Sequence, residues 1–133
     1  MKLIWCTTRH FGEDLCATTQ VAIINQLLSS GHEVTVLGPD VPTETYAWEH
    51  VQLNQSSMKG KKASSLAKSI NNYLKEIDLE AHVVFIDWSL VRYVSPLVER
   101  NGIGWMCIDR SPPADANLFA KLQRNVWKRA WKM

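Results

Sequence analysis

The strongest constraint on this chain is a β-α-β unit written into residues 2–39. Leu3-Ile4-Trp5-Cys6-Thr7 is a short apolar run of strand formers. After a polar loop, apolar residues at 15, 21, 23, 24, 27 and 28 mark a helix of about four turns. Asp14 suits the N-cap, since a carboxylate accepts the unpaired amides of a first turn. Ser29-Ser30-Gly31 supplies the stop, with glycine where positive φ is needed. His32-Glu33-Val34-Thr35-Val36-Leu37 then alternates as a strand and ends at Gly38-Pro39. Two strands joined through one crossover helix wind right-handed, so they must be parallel.

Parallel strands are stable only when helices cover both faces of the sheet, and the remaining sequence supplies them. His50-Val51-Gln52-Leu53 reads as a short edge strand, followed by a polar, basic loop over residues 56–62. From Ala63, residues Leu66, Ile70, Tyr73, Leu74 and Ile77 recur at steps of three and four, the spacing of an amphipathic helix. His82-Val83-Val84-Phe85-Ile86 is continuous rather than alternating, as a strand buried on both faces should be. Residues 91–100 form a short helix stopped by Asn101-Gly102, with Pro96 in its first turn or bending it. Residues 103–108 form the last strand, and Pro112-Pro113 precede a final helix from about residue 115. The expected fold is α/β: one Rossmann-like, three-layer α/β/α domain over residues 1–133. Its parallel sheet should have about five strands in the order 3-2-1-4-5.

Composition agrees with one ordinary domain: 46% of residues are apolar and 21% charged, which excludes collagen-like and disordered classes. No apolar run approaches the roughly 20 residues that cross a bilayer, and residues 1–6 are too short for a signal peptide core. A cytoplasmic protein is therefore expected. Cys6, Cys16 and Cys107 lack CxxC spacing and read as reduced, mostly buried residues. His50 and His82 have no partners at metal-ligand spacing, so no metal is expected.

Charge is uneven. Residues 118–133 carry Lys121, Arg124, Lys128, Arg129 and Lys132 with no acid, while the rest of the chain has thirteen acidic against ten basic residues. On a helix, Phe119, Leu122, Val126, Ala130 and Met133 form an apolar stripe, and Trp127 and Trp131 broaden it. That stripe either buries against the sheet or lies on an anionic membrane surface. In the second case Lys121, Arg124, Trp127, Lys128, Trp131 and Lys132 make the contact, peripherally at the inner face of the membrane. No nucleic-acid-binding module surrounds these residues, and no nucleic-acid partner is expected.

Ligands of doubly wound sheets bind outside the carboxyl ends of the strands, where strand order reverses. Four segments belong there: residues 7–14, Gly38-Pro39-Asp40, Asp87-Trp88-Ser89 and Asp109-Arg110-Ser111. The first leads into a helix N-terminus, a generic anion site. Gly12 lets backbone approach a ligand and Arg9 and His10 add charge, unless Gly12 serves only a turn. Neither GxGxxG nor GxxxxGK[ST] is present, so dinucleotide and P-loop sites are not expected. Asp87 follows an apolar strand, where a carboxylate must be reachable, capped or paired. It is the candidate catalytic residue, with capping of the next helix beside Ser89 as the alternative. Asp109, Arg110 and Ser111 put an acid, a bidentate donor and a hydroxyl at one rim. Arg110 suits a phosphate or carboxylate, or pairs structurally with Asp109 or Asp87.

Gln26-Leu27-Leu28-Ser29-Ser30-Gly31-His32-Glu33-Val34-Thr35-Val36-Leu37-Gly38-Pro39 resembles the L-x-x-x-G-H-E-V-T-V signature near the start of GT-B glycosyltransferases, especially the retaining group 1 class. With the Gly12 loop, the strand before Asp87-Trp88 and the strand over 103–108, the similarity in order and spacing covers nearly the whole chain. The resemblance implies two Rossmann-like domains across a cleft, the N-terminal one holding the acceptor and the C-terminal one most of the nucleotide-sugar donor. This chain is similar only to the N-terminal domain and lacks the paired glutamates that face the donor. It has Gly12 alone where the family carries two adjacent glycines, and Asp87 or Ser89 where many relatives have a histidine. The resemblance implies sugar transfer from a nucleotide-sugar to a hydroxyl of a glycan or lipid acceptor, with no metal or other cofactor. It sets Gly12 beside the donor phosphates, and Asp87, Asp109 and Arg110 on the acceptor side. Its further implications are a C-terminal partner domain and an inactive isolated chain. The competing expectation is a free-standing, non-catalytic module that binds a small anion or a protein partner.

Overall fold

Leu3 and Trp5 point to one side of the first strand and Ile4 and Cys6 to the other, and all four are buried. A strand apolar on both faces has to lie in the middle of the sheet. In the computed structural model, which describes residues 1–11, 17–40, 45–108 and 118–132, this strand is β1 (Lys2–Cys6). It pairs in parallel with β2 (Glu33–Gly38) on one side and with β4 (His82–Asp87) on the other. β3 (Glu49–Gln52) extends the sheet beyond β2, and β5 (Trp105–Ile108) beyond β4. Among the described residues the sheet has five parallel strands in the order 3-2-1-4-5, as expected from the sequence. Strand order reverses between β1 and β4.

α1 (Ala17–Ser29), α2 (Lys62–Glu76) and α3 (Val91–Arg100) are the crossovers, and α4 (Leu118–Lys132) follows β5. One core packs Leu3, Trp5, Val34 and Val36 against Ala17 and Ile24 of α1, with Phe11 and Trp48. The other packs Ile4, Cys6, Val84 and Ile86 against Leu66 and Ile70 of α2 and Val94 and Val98 of α3. Ala130 of α4 belongs to this second core, and Val126 packs on it. The apolar stripe of the last helix is thus docked on the domain near Ala130, whereas Leu122 is exposed.

Local differences from the sequence expectations have physical causes. Gly31 and Gly102 have φ of +88° and +69°, as their positions as helix stops require. Pro96 lies beyond the first turn of α3, where the carbonyl four residues earlier loses a helical donor. β4 runs one residue further than the apolar run, because Asp87 is still in register with Ile108. The proposed cap Asp14 and the helix positions Leu15 and Cys16 lie outside the described residues, as does Met133. On α1 the buried face is Ala17, Gln20 and Ile24, while Ile23 is exposed. No described helix is long and apolar enough to cross a membrane.

This rotation of α1 is measurable. Ile24→Ala should cost about 2–5 kcal/mol in urea unfolding, as for a fully buried isoleucine. Ile23→Ala should cost less, about 1 kcal/mol, because that residue is 42% exposed. Equal losses would contradict the assigned face.

Candidate functional site

Every crossover helix of a parallel sheet starts at the carboxyl edge, so this edge gathers the strand exits and the helix N-termini. The exit of β1 is the most elaborately held. Buried Gln20 of α1 accepts hydrogen bonds through Oε1 from Trp5 Nε1 at 3.0 Å and from Thr7 Oγ1 at 2.8 Å. Thr7 Oγ1 in turn accepts the amide of Arg9 at 3.0 Å, and the Thr7 amide bonds the Leu37 carbonyl at 3.0 Å. Gly38 is needed alongside: a Cβ there would stand 3.2 Å from Thr7 Cγ2.

Two contacts tie this loop to the neighbouring strands. His10 Nδ1 lies 3.1 Å from Asp40 Oδ1, joining the exits of β1 and β2. Phe11 is buried with its ring edge-to-face on Tyr46, Trp48 and His50. Trp48 Nε1 donates to His50 Nδ1 at 3.2 Å, which leaves the ring proton on Nε2. Burial lowers the pKa of His50, against the opposing charge of Asp40.

Asp87 ends β4 directly across the order reversal and is 2% exposed. Its Oδ2 accepts the Thr8 hydroxyl at 3.1 Å, and the backbone amides of Thr8 and Ser89 also bond the carboxylate. Burial raises its pKa above the ordinary 3.8; the Arg9 guanidinium and these hydrogen bonds oppose the rise without cancelling it. The turn into α3 is closed by backbone, Leu90 N–H to Asp87 C=O at 2.8 Å, and no side chain caps that helix. The carboxylate therefore joins the β4 and β1 exits rather than capping α3.

These groups open into a cleft of about 910 Å³. Thr8, Arg9, His10, Asp87 and Ser89 form its sheet-side wall. The loop into α2 adds Lys59, Gly60 and Lys62; α3 adds Arg92 and Tyr93; α4 adds Asn125, Val126 and Arg129. Arg92 donates to the Tyr93 hydroxyl and lies 4.5 Å from that ring's centroid. A second cavity, of about 810 Å³, lies around the start of β4 and the ends of α2 and α3. It is at the amino edge of the sheet, away from the convergent side chains.

Of the residues singled out in the sequence, Arg9, His10, Asp87 and Ser89 come together in the cleft. Gly12, Asp109, Arg110 and Ser111 lie outside the described residues, and so do the side chains of Lys121, Trp127 and Trp131. Lys128 and Lys132 are exposed and Arg124 half-buried. The sequence reading missed Lys59, Lys62, Arg92 and Arg129 as cleft residues. A signal was available for Lys59 and Lys62, because the basic loop before α2 must reach the carboxyl edge if α2 is a crossover.

No family model and no curated protein matches the chain. Solved structures do. A UGT transferase from Siraitia grosvenorii in complex with UDP matches 81% of this chain and 27% of its own, at 15% identity and a TM-score of 0.60. WaaG, a glycosyltransferase of lipopolysaccharide biosynthesis, matches 96% of this chain and 34% of its own, at 14% identity and a TM-score of 0.58. A UDP-GlcNAc 2-epimerase from Methanocaldococcus jannaschii matches 98% of this chain and 37% of its own, at 15% identity and a TM-score of 0.53. The chain thus has the fold of one domain of GT-B proteins and spans 27–37% of these neighbours' lengths.

The buried carboxylate has a pH signature. Its pKa is higher folded than unfolded, so at neutral pH its ionisation costs stability. That cost vanishes as pH falls through the raised pKa toward 3.8. Asn cannot titrate, so the stability of wild type relative to Asp87→Asn should rise as pH is lowered from about 7 to about 4. Urea unfolding of both proteins across that range checks it, and a difference independent of pH would contradict the assignment.

Proposed function

We propose that the chain is the acceptor-side domain of a GT-B glycosyltransferase that moves a sugar from a nucleotide-sugar to an acceptor hydroxyl. The observation that carries this reading is the cleft at the order reversal, where a buried carboxylate of raised pKa, a hydroxyl and an arginine converge. The fold shared with nucleotide-sugar enzymes supports it. So does the fraction of their length that the chain spans, since a second domain is then needed to hold most of the donor.

In this reading the acceptor enters the cleft with its hydroxyl toward Asp87. A new bond forms between that oxygen and the anomeric carbon as the carbon–phosphate oxygen bond breaks and the nucleoside diphosphate leaves. Asp87 takes the hydroxyl proton, which its raised pKa favours over an ordinary surface aspartate. Thr8 orients the carboxylate, and the Gln20-held loop keeps Thr8 in place.

A transfer screen of the complete gene product against a panel of nucleotide-sugars tests the proposal. Transfer should be found with the complete product and be absent from the 133-residue chain alone. Asp87→Asn should lower kcat by about 10²-fold or more, as loss of a general base does, with the protein still folded. Unchanged kinetics would reduce Asp87 to a loop-positioning residue, and no transfer with any donor would contradict the proposal.

A further inference from the structure

We infer that the acceptor taken by this cleft carries a phosphate group, held by Lys62, Arg92 and Arg129. The inference rests on reading the cleft as an acceptor site. Its ground is the imbalance of charge and of hydrogen-bonding capacity in the wall. Lys62, Arg92 and Arg129 line the cleft beside Arg9, which faces Asp87, the one carboxylate among the described lining residues. Asp87 is 2% exposed and already engaged by Thr8. No carboxylate among the described residues comes within ion-pair distance of Lys62, Arg92 or Arg129.

The start of α2 sharpens the point. A helix N-terminus carries partial positive charge, and acidic residues or side-chain caps normally offset it. Here the first turn has no acid, Lys61 occupies the N-cap without a side-chain hydrogen bond, and Lys62 follows. Two lysines at the positive end of a fifteen-residue helix are unfavourable in isolation and favourable once an anion sits between them and the amides.

Independent of charge, the wall holds unsatisfied donors. Trp88 is nine-tenths buried, and its indole N–H has no acceptor among the described residues. Ser89 Oγ and the buried Nε of Arg9 are in the same condition. All three residues line the cleft. Buried donors without acceptors are costly, and a ligand rich in acceptors, seated against this wall, suits them better than one that donates. Phosphate meets this demand better than carboxylate, because its terminal oxygens fan out toward donors arriving from α2, α3 and α4 at once.

Lys62, Arg92 and Arg129 come from α2, α3 and α4, whereas Thr8, Arg9 and His10 reach the same cleft from the β1 exit. The second core, which includes α2, α3 and Ala130 of α4, lies across the sheet from the core that includes α1. The three cations thus stand on the face of the sheet opposite α1, and we read them as the acceptor's side of the cleft.

Calorimetric titration of the 133-residue chain tests the inference with four probes: glucose 6-phosphate, glucose, dihexanoyl phosphatidic acid and dihexanoyl phosphatidylcholine. At least one phosphomonoester should bind, glucose and the phosphatidylcholine should not, and preference between the two phosphomonoesters separates a soluble from a lipid acceptor. Lys62→Glu combined with Arg129→Glu should weaken binding more than about tenfold, since charge-assisted contacts are lost. Both side chains are exposed, so circular dichroism should show an intact fold. Lys75→Glu, at the far end of α2, should leave affinity unchanged. Phosphomonoesters binding no tighter than glucose, glucuronate binding as tightly as glucose 6-phosphate, or Lys75→Glu weakening binding as much as the pair would each overturn the inference. Binding is read without transfer, so phosphate binding by a protein that transfers no sugar would overturn the transferase reading alone.

Discussion

The carboxamide oxygen of Gln20 holds together the part of the molecule on which the rest of the site depends. It is buried, and it accepts from the indole of the central strand and from the hydroxyl of Thr7. Removing that oxygen would strand two buried donors, at about 1–3 kcal/mol each. Through Thr7 it also fixes the amide of Arg9, so one polar side chain on α1 sets the course of the loop that leaves β1. Thr8, which orients Asp87, is carried on that loop.

From this anchor the site assembles by parallel-sheet geometry. β1 and β4 are neighbours whose crossovers go opposite ways, so their exits diverge and leave a gap between them. Asp87 fills the floor of the gap, and burial raises its affinity for a proton. The N-terminal parts of α2 and α3 and the flank of α4 complete the walls, and the charged side chains they bring are all cations. A titratable acid of raised pKa beneath a positive rim suits chemistry in which a hydroxyl gives up its proton next to an anionic group.

Much of this was legible in the sequence because it is local. Gly31 and Gly102 stop helices by backbone conformation, and the apolar run before Asp87 marks a strand buried on both faces. Crossover handedness makes the strands parallel, and the order is that of the doubly wound class which alternating strands and helices indicate. Gln20 was not legible: periodicity assigns polar residues to solvent, and only the three-dimensional meeting with Trp5 and Thr7 makes its burial favourable. Ile23 is the converse, an apolar residue exposed because the helix face turned toward Gln20. Arg92 and Arg129 come from helices far apart in sequence and meet only across the cleft, so no spacing rule could pair them.

Amide hydrogen exchange in the wild type and in Gln20→Leu tests most directly whether this one side chain governs the site. The Arg9 amide, bonded to Thr7 Oγ1, should lose its protection in the variant, while the amides in the middle of β1 and β4 remain protected. An Arg9 amide exchanging at the wild-type rate in Gln20→Leu would contradict it.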